Sequence, residues 1–211
     1  MTLKILFDAD MTVFRATSSV ETPIQWDGDL WTLHADAGEA KVKVDDSVLT
    51  LTEKVLKHYK HEGEYEIVMC FSDEDNFRKK VLPTYKLNRA DKRKPTCYYG
   101  VKQWVEENYN CYQRPGLEAD DCIGILSTMK NSNAIILSGD TTDNYKGCPG
   151  CGAVSAKKLL DQSPTWETVV AAFEKKGLAE SDALVQARVA RILRASDYDF
   201  TAKKPILWSP N

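Results

Sequence analysis

No apolar run in this 211-residue chain approaches the roughly 20 residues that a membrane helix needs. Met1-Thr2-Leu3-Lys4 leads straight into a short strand pattern, without the apolar stretch of a secretory signal. The expectation is a soluble, cytoplasmic protein. Histidine is scarce, and His34, His58 and His61 have no partners at ligand spacing. The lone CxxC, Cys148-Pro149-Gly150-Cys151, has no second pair to complete a zinc site, so the six cysteines read as free thiols. Cys70 and Cys122 lie in apolar surroundings and read as small core hydrophobes. Internal repeats and low-complexity segments are absent. The five tryptophans are dispersed, which suits packing better than a base-stacking surface, and Tyr98-Tyr99 reads as local packing too. With 43% hydrophobic and 28% charged residues, a disordered, collagen-like or disulfide-scaffold chain is excluded.

What is present is charge, strongly segregated. The formal net charge is only −3, yet Arg78 to Lys94 holds eight basic residues against one acid, Asp91. The carboxylates gather elsewhere in short groups: Asp8 with Asp10, Asp73 to Asp75, Glu118 to Asp121, and Asp140 with Asp143. Such segregation suits a polyanion gripped on one side and cations held on another.

The apolar runs 3–7, 66–71 and 134–137 read as buried strands, and 111–114 as a short one. Helical periodicity marks residues 44–61, 99–109 and 117–129. Ile24 to Leu33 around Asp27-Gly28 reads as a hairpin with a two-residue turn. Strands alternating with helices predict an α/β fold with a parallel sheet. After Thr141 a glycine cluster and helical patterns at 156–160, 166–173 and 184–193 predict a small helical lobe. The expected organisation is therefore an α/β domain over 1–140 with a basic segment near 78–98, then a lobe over 141–211.

Three of the strands end in acid, at Asp8, Asp73 and Asp140, and parallel sheets build their sites at those ends. Glu118, Asp120 and Asp121 open a helix, where the dipole alone would favour acids. Several such groups brought together would repel one another without cations, and hard oxygen ligands suit Mg²⁺ or Mn²⁺. Carboxylates beside a basic segment fit two-metal phosphodiester hydrolysis, with the basic residues holding backbone phosphates.

The ordered motifs Phe7-Asp8-Ala9-Asp10, Phe71-Ser72-Asp73, Phe77-Arg78-Lys79, Tyr85-Lys86-Leu87-Asn88-Arg89, Leu117-Glu118-Ala119-Asp120-Asp121 and Gly139-Asp140-Thr141-Thr142-Asp143-Asn144 resemble the 5′ nuclease family. That family includes flap endonucleases, and the wording is most similar to the 5′→3′ exonucleases of short-tailed phages. The resemblance implies a PIN-like parallel-sheet nuclease domain followed by a helix–three-turn–helix lobe. It implies metal ligands at Asp8, Asp73, Glu118, Asp120, Asp121, Asp140 and Asp143, holding two Mg²⁺ or Mn²⁺ ions. Lys86 would orient the scissile phosphate, with Arg89 as its basic neighbour. Arg78, Lys79, Lys80, Lys92, Arg93 and Lys94 would meet DNA along the arch. Gly147, Gly150 and Gly152 would grip duplex phosphates, around a K⁺ ion. The implied substrates are double-stranded DNA with 5′ ends or flaps and RNA–DNA hybrids, in a host cytoplasm if a phage encodes the chain.

One departure stands out. The family separates an Asp-x-Asp strand end from its Gly-Asp-x-x-Asp-Asn motif, whereas here Ser138-Gly139-Asp140 runs directly into Thr141-Thr142-Asp143-Asn144. Asp140 can serve only one of the two, so a second-metal carboxylate is missing. A segment omitted at Asp140-Thr141 would account for the fusion, because parallel neighbours need about a dozen connecting residues. Two rival readings follow: a haloacid-dehalogenase-type phosphatase with Asp8 as nucleophile and Asp10 as acid, and a non-catalytic DNA-structure-binding relic of the nuclease family.

Overall fold

The computed structural model describes residues 3–127 and 143–210. The chain runs β1 (Leu3–Asp8), α1 (Ala9–Ser19), β2 (Glu21–Gln25), β3 (Trp31–Ala35), α2 (Ala37–Tyr59), β4 (Tyr65–Cys70) and α3 (Phe77–Val81). A 3₁₀ turn at Leu87–Arg89 leads to α4 (Tyr98–Asn108), β5 (Cys111–Tyr112) and α5 (Ala119–Ser127). After the undescribed stretch come α6 (Ala153–Gln162), α7 (Trp166–Glu174), α8 (Glu180–Ala190), a 3₁₀ turn at Ala195–Asp197, and the two-residue strands β6 (Tyr198–Asp199) and β7 (Lys204–Pro205). None of the described helices is long and apolar enough to cross a membrane. These residues divide into two units: the chain up to Ser72 with Arg93–Gln113, and Asp73–Lys92 with the chain from Arg114 onward. The break expected at residue 140 and the strand expected over 134–137 lie outside the described residues.

In the first unit β1, β4 and β5 form a parallel sheet in the order β1-β4-β5, registered from Leu3 opposite Tyr65 to Asp8 opposite Cys70. Ile5 and Phe7 of β1 and Met69 of β4 point into a core with Val13, Val44, Val48, Val101 and Val105 from α1, α2 and α4. Asp8 ends β1 and its Oδ1 accepts the Met11 N–H at 2.9 Å, so one residue closes the strand and caps α1. Helix α2 begins seven residues before the periodicity implies. Its start is set by Asp36, whose carboxylate accepts the N–H groups of Gly38 and Glu39.

The hairpin forms, but with a longer connection than a two-residue turn. Gln25 pairs with Trp31, leaving residues 26–30 as the loop, with Gly28 at φ +50°. Trp26 and Trp31 are exposed there, contrary to the packing role expected of the dispersed tryptophans. Two strands alone bury too little to be stable, and a polar latch supplies what packing does not. Both terminal guanidinium nitrogens of Arg93 reach Glu21, which also accepts the Thr96 N–H at 2.7 Å and hydroxyl at 2.8 Å. The Arg93 hydrogen bonds, then those of Thr96, lower the Glu21 pKa to about 2 from the ordinary 4.5. Because the folded-state value is depressed, this contribution to stability is complete above pH 4.5 and is lost as pH falls toward 2. Glu21→Gln should therefore loosen the hairpin at neutral pH and remove that acid sensitivity, read as faster hydrogen exchange of the β2 and β3 amides. Exchange unchanged from the parent at pH 7 would show that the latch contributes nothing.

In the second unit α6, α7 and α8 surround Ala156, Val169, Phe173, Ala183 and Ala187, with Trp166 and Trp208 in edge contact at 5.1 Å. Cys148 and Cys151 are free, as expected, and are buried members of this cluster. Burial raises both thiols, and neither makes a disulfide.

Candidate active site

In the first unit, Asp8 and Asp10 stand at the carboxyl end of β1. Asp10 accepts the Ser72 N–H at 2.8 Å and the Tyr98 hydroxyl at 3.1 Å, which fixes its rotamer. Burial, then Asp10, holds the Tyr98 hydroxyl protonated well above the usual phenol range. Beneath the acids, Cys70 is pushed up to about 12 by burial and then by Asp8. Lys94 lies over the Tyr98 ring at 4.5 Å.

The second unit holds a larger network. Asp73 takes the N–H groups of Glu74 and Gly116 on its two oxygens, while its own N–H donates to the Leu117 carbonyl. Those contacts place Glu118 directly before α5. Glu118 Oε1 meets Lys86 Nζ at 2.7 Å, and Oε2 accepts the Tyr85 hydroxyl at 2.8 Å. The same hydroxyl reaches Asp143 Oδ2 at 3.0 Å, and Arg89 reaches Asp143 Oδ1 at 2.8 Å. Lys86 is 3.6 Å from Asp143 as well. Its backbone adopts φ +53°, unusual for a residue with a Cβ, while its N–H donates to the Asp143 carbonyl. Burial and then Glu118 keep Tyr85 protonated far above its ordinary value.

The other residues singled out from the sequence occupy varied places. Asp120 is exposed in the first turn of α5, whereas Asp121 is completely buried. Asp140 lies outside the described residues, as does the Asp140-Thr141 junction. Arg78, expected on a DNA-facing surface, is only 3% exposed and points inward to Asp121. Lys79 and Lys80 are exposed, with Lys80 paired to Asp75 at 2.7 Å. Lys92, Arg93 and Lys94 are exposed, but Arg93 is engaged by Glu21. Gly147 and Gly150 have φ of +64° and +72°, where a Cβ would be strained, and the Gly147 N–H donates to Gln186. Gly152 caps α6 without any side-chain bond to the first turn, whose residues 153–155 are exposed.

Among the described residues no three His, Cys, Asp or Glu side chains are gathered to hold a metal ion. Glu118 and Asp143 nevertheless have the chemistry for one. Both are partly buried hard-oxygen donors, and the charges now balancing them are movable side chains on partly exposed Lys86 and Arg89. Sequence reasoning missed Tyr85, the hydroxyl joining the two carboxylates; its place beside Lys86 in the Tyr-Lys-x-Asn-Arg motif was the available signal.

Comparison with known proteins bears on the family and the fold. The exodeoxyribonuclease of Enterobacteria phage T3 and the exonuclease of Escherichia phage T7 are each 24% identical over 283 aligned positions, covering 98% of this chain and 92% and 93% of theirs. That span exceeds the 211 residues here, so both relatives carry internal residues with no counterpart in this chain. The fold is similar to that of the T5 D15 protein co-crystallised with metal ions (TM-score 0.57, 12% identity, 90% of this chain and 89% of that one). It is also similar to the T5 D15 flap endonuclease in a pseudo-enzyme–product complex with DNA and metal ions (TM-score 0.55, 12% identity, 90% and 89%). Residues 4–144 match the 5′-3′ exonuclease N-terminal resolvase-like domain, and over that span, well above half its length, the chain belongs to the 5′-3′ exonuclease family.

Proposed function

We propose that the chain hydrolyses phosphodiester bonds from 5′ ends and at flaps, in DNA and in RNA annealed to it, with two Mg²⁺ or Mn²⁺ ions. The observation that carries this reading is the network in which Lys86 and Arg89 stand against Glu118 and Asp143 across the Tyr85 hydroxyl. Two side-chain cations of a kind that suits phosphate, beside two carboxylates of a kind that suits a metal ion, support the reading. The ligands we assign are Asp8, Asp73, Glu118, Asp120, Asp140 and Asp143. Bound divalent ions supply charge neutralisation at the phosphate and acidify the attacking water. Lys86, released from Glu118, orients a non-bridging phosphate oxygen. Lys79, Lys92 and Lys94 hold the backbone, and the turn shaped by Gly147, Gly150 and Gly152 at the start of α6 meets duplex phosphate, with a K⁺ ion there.

A 5′-labelled flap substrate tests the reading. Short labelled products are expected with Mg²⁺ and none after chelation. No product with either Mg²⁺ or Mn²⁺, alongside retained duplex binding, would favour the non-catalytic relic; a phosphoaspartate trapped on Asp8 would favour the phosphatase.

Lys86 has its own expected signature. A group that acts on the transition state gives Lys86→Ala a loss of roughly a hundredfold or more in kcat with little change in affinity. Lys92→Ala should instead weaken binding and flatten the salt dependence by about one phosphate contact. Matching behaviour of the two variants in single-turnover and binding titrations would remove Lys86 from the chemistry.

A further inference from the structure

We infer that Asp121 is not a metal ligand in this chain but a positioning residue, which through the buried Arg78 guanidinium clamps residues 189–193 onto α5 and thereby sets Glu118 in place. Asp121 Oδ2 accepts Arg78 Nη1 at 2.5 Å and the Glu118 N–H at 3.2 Å. Oδ1 accepts Arg78 Nη2 at 2.7 Å and the Leu193 N–H at 3.0 Å. A carboxylate has about four acceptor positions, and four N–H donors fill them. The residue has no exposed surface. An ion seated on it would have to displace Arg78 or a backbone amide, leaving a charge or a dipole buried without a partner.

Arg78 is saturated as well. Besides the bidentate grip on Asp121, its Nε donates to the Val189 carbonyl at 2.8 Å and Nη2 to the Arg191 carbonyl at 2.7 Å. Nη1 also stands 3.3 Å from Glu118 Oε2. Glu118 is therefore held twice by this pair, at its backbone through Asp121 and at its carboxylate through Arg78. A separate observation points to the same clamp. One turn after Asp121, a Cβ on Gly124 would stand 2.5 Å from both the Leu193 carbonyl oxygen and Ile192 Cγ2. Only glycine lets the 192–193 backbone come close enough for the Leu193 N–H to reach Asp121.

The inference rests on the nuclease reading only in denying Asp121 a metal bond, and its test separates the two. Mg²⁺ is titrated calorimetrically into the full chain, into Asp121→Asn, and into the double variant Arg78→Met with Asp121→Leu. Apolar replacement of both members of a buried pair is tolerated far better than loss of one. Arg78→Met and Asp121→Leu are titrated beside them. Because Glu118 is held through the pair, each folded single variant should lose Mg²⁺ affinity by roughly the 10–100-fold that follows loss of a group orienting a metal ligand, and the double variant should lose no more than either single, since the two groups act as one. Asp121→Asn should also unfold at lower temperature. Losses that add in the double variant, or an Arg78→Met variant of parental affinity beside a weakened Asp121→Leu, overturn the inference. If the parent itself takes up no Mg²⁺, the nuclease reading falls, and a thermal double-mutant cycle with Arg78→Met and Asp121→Leu decides the clamp. Strongly non-additive midpoint losses support it, and additive ones overturn it.

Discussion

Asp8→Asn is expected to lose about three orders of magnitude in cleavage rate, roughly 4 kcal/mol of transition-state stabilisation, while folding as the parent does. Asparagine is the informative replacement because Asp8 is a helix cap and, on the proposed function, an ion ligand as well. Its Oδ1 caps α1 through the Met11 N–H, and asparagine caps a helix about as well as aspartate. The substitution removes the charge and turns one acceptor oxygen into an NH₂ donor, while an acceptor oxygen is kept for the cap. Alanine would add about 1 kcal/mol of lost capping and confuse chemistry with stability. Single-turnover cleavage with a thermal melt on the same preparation checks the prediction. Near-parental cleavage would take Asp8 out of the ion-binding set, and a large fall in the melting point would show that the cap fails with asparagine.

Asp8 was legible in the sequence because strand-end acids follow from a local pattern: an apolar run, then a carboxylate. The parallel pairing of β1 and β4, the short β5 and the helices flanking them were legible for the same reason. Arg78 was not. In a stretch holding eight basic residues, one arginine reads as another solvated charge, and its partner Asp121 lies 43 positions away. The pairing of Asp121 was hidden in the same way, since an acid in a first helical turn is equally at home capping, ligating or pairing. Which of these it does depends on residues 189–193, whose approach no local pattern encodes. The exposed Trp26 and Trp31 escaped notice for a related reason: a strand pattern does not reveal whether a third strand or a helix covers the hairpin.

The second large effect is on stability. Gly124→Ala places a methyl group where the Leu193 carbonyl and Ile192 side chain already stand, and one of the two contacts is backbone, which cannot swing aside. Overpacking of this kind costs about 1–3 kcal/mol, which in a chain of this size lowers the thermal midpoint by roughly 2–4 °C per kcal/mol. In an open helix interior the same change would be stabilising by nearly 1 kcal/mol, so the sign of the shift is decisive. A raised midpoint would mean that residues 192–193 do not pack where the structure puts them.

The network around Tyr85 has a thermodynamic consequence. Lys86 and Arg89 act as internal counter-ions to Glu118 and Asp143. A phosphate that draws those cations away uncovers two carboxylates, and a divalent ion that occupies the carboxylates frees two cations. On the proposed function, each ligand would remove the other's competitor, so polyanion and divalent ion would bind with mutual reinforcement, equal in both directions as linkage requires. The internal ion pairs would then be a placeholder complex, in which the protein's own charges stand in for substrate and cofactor until both arrive.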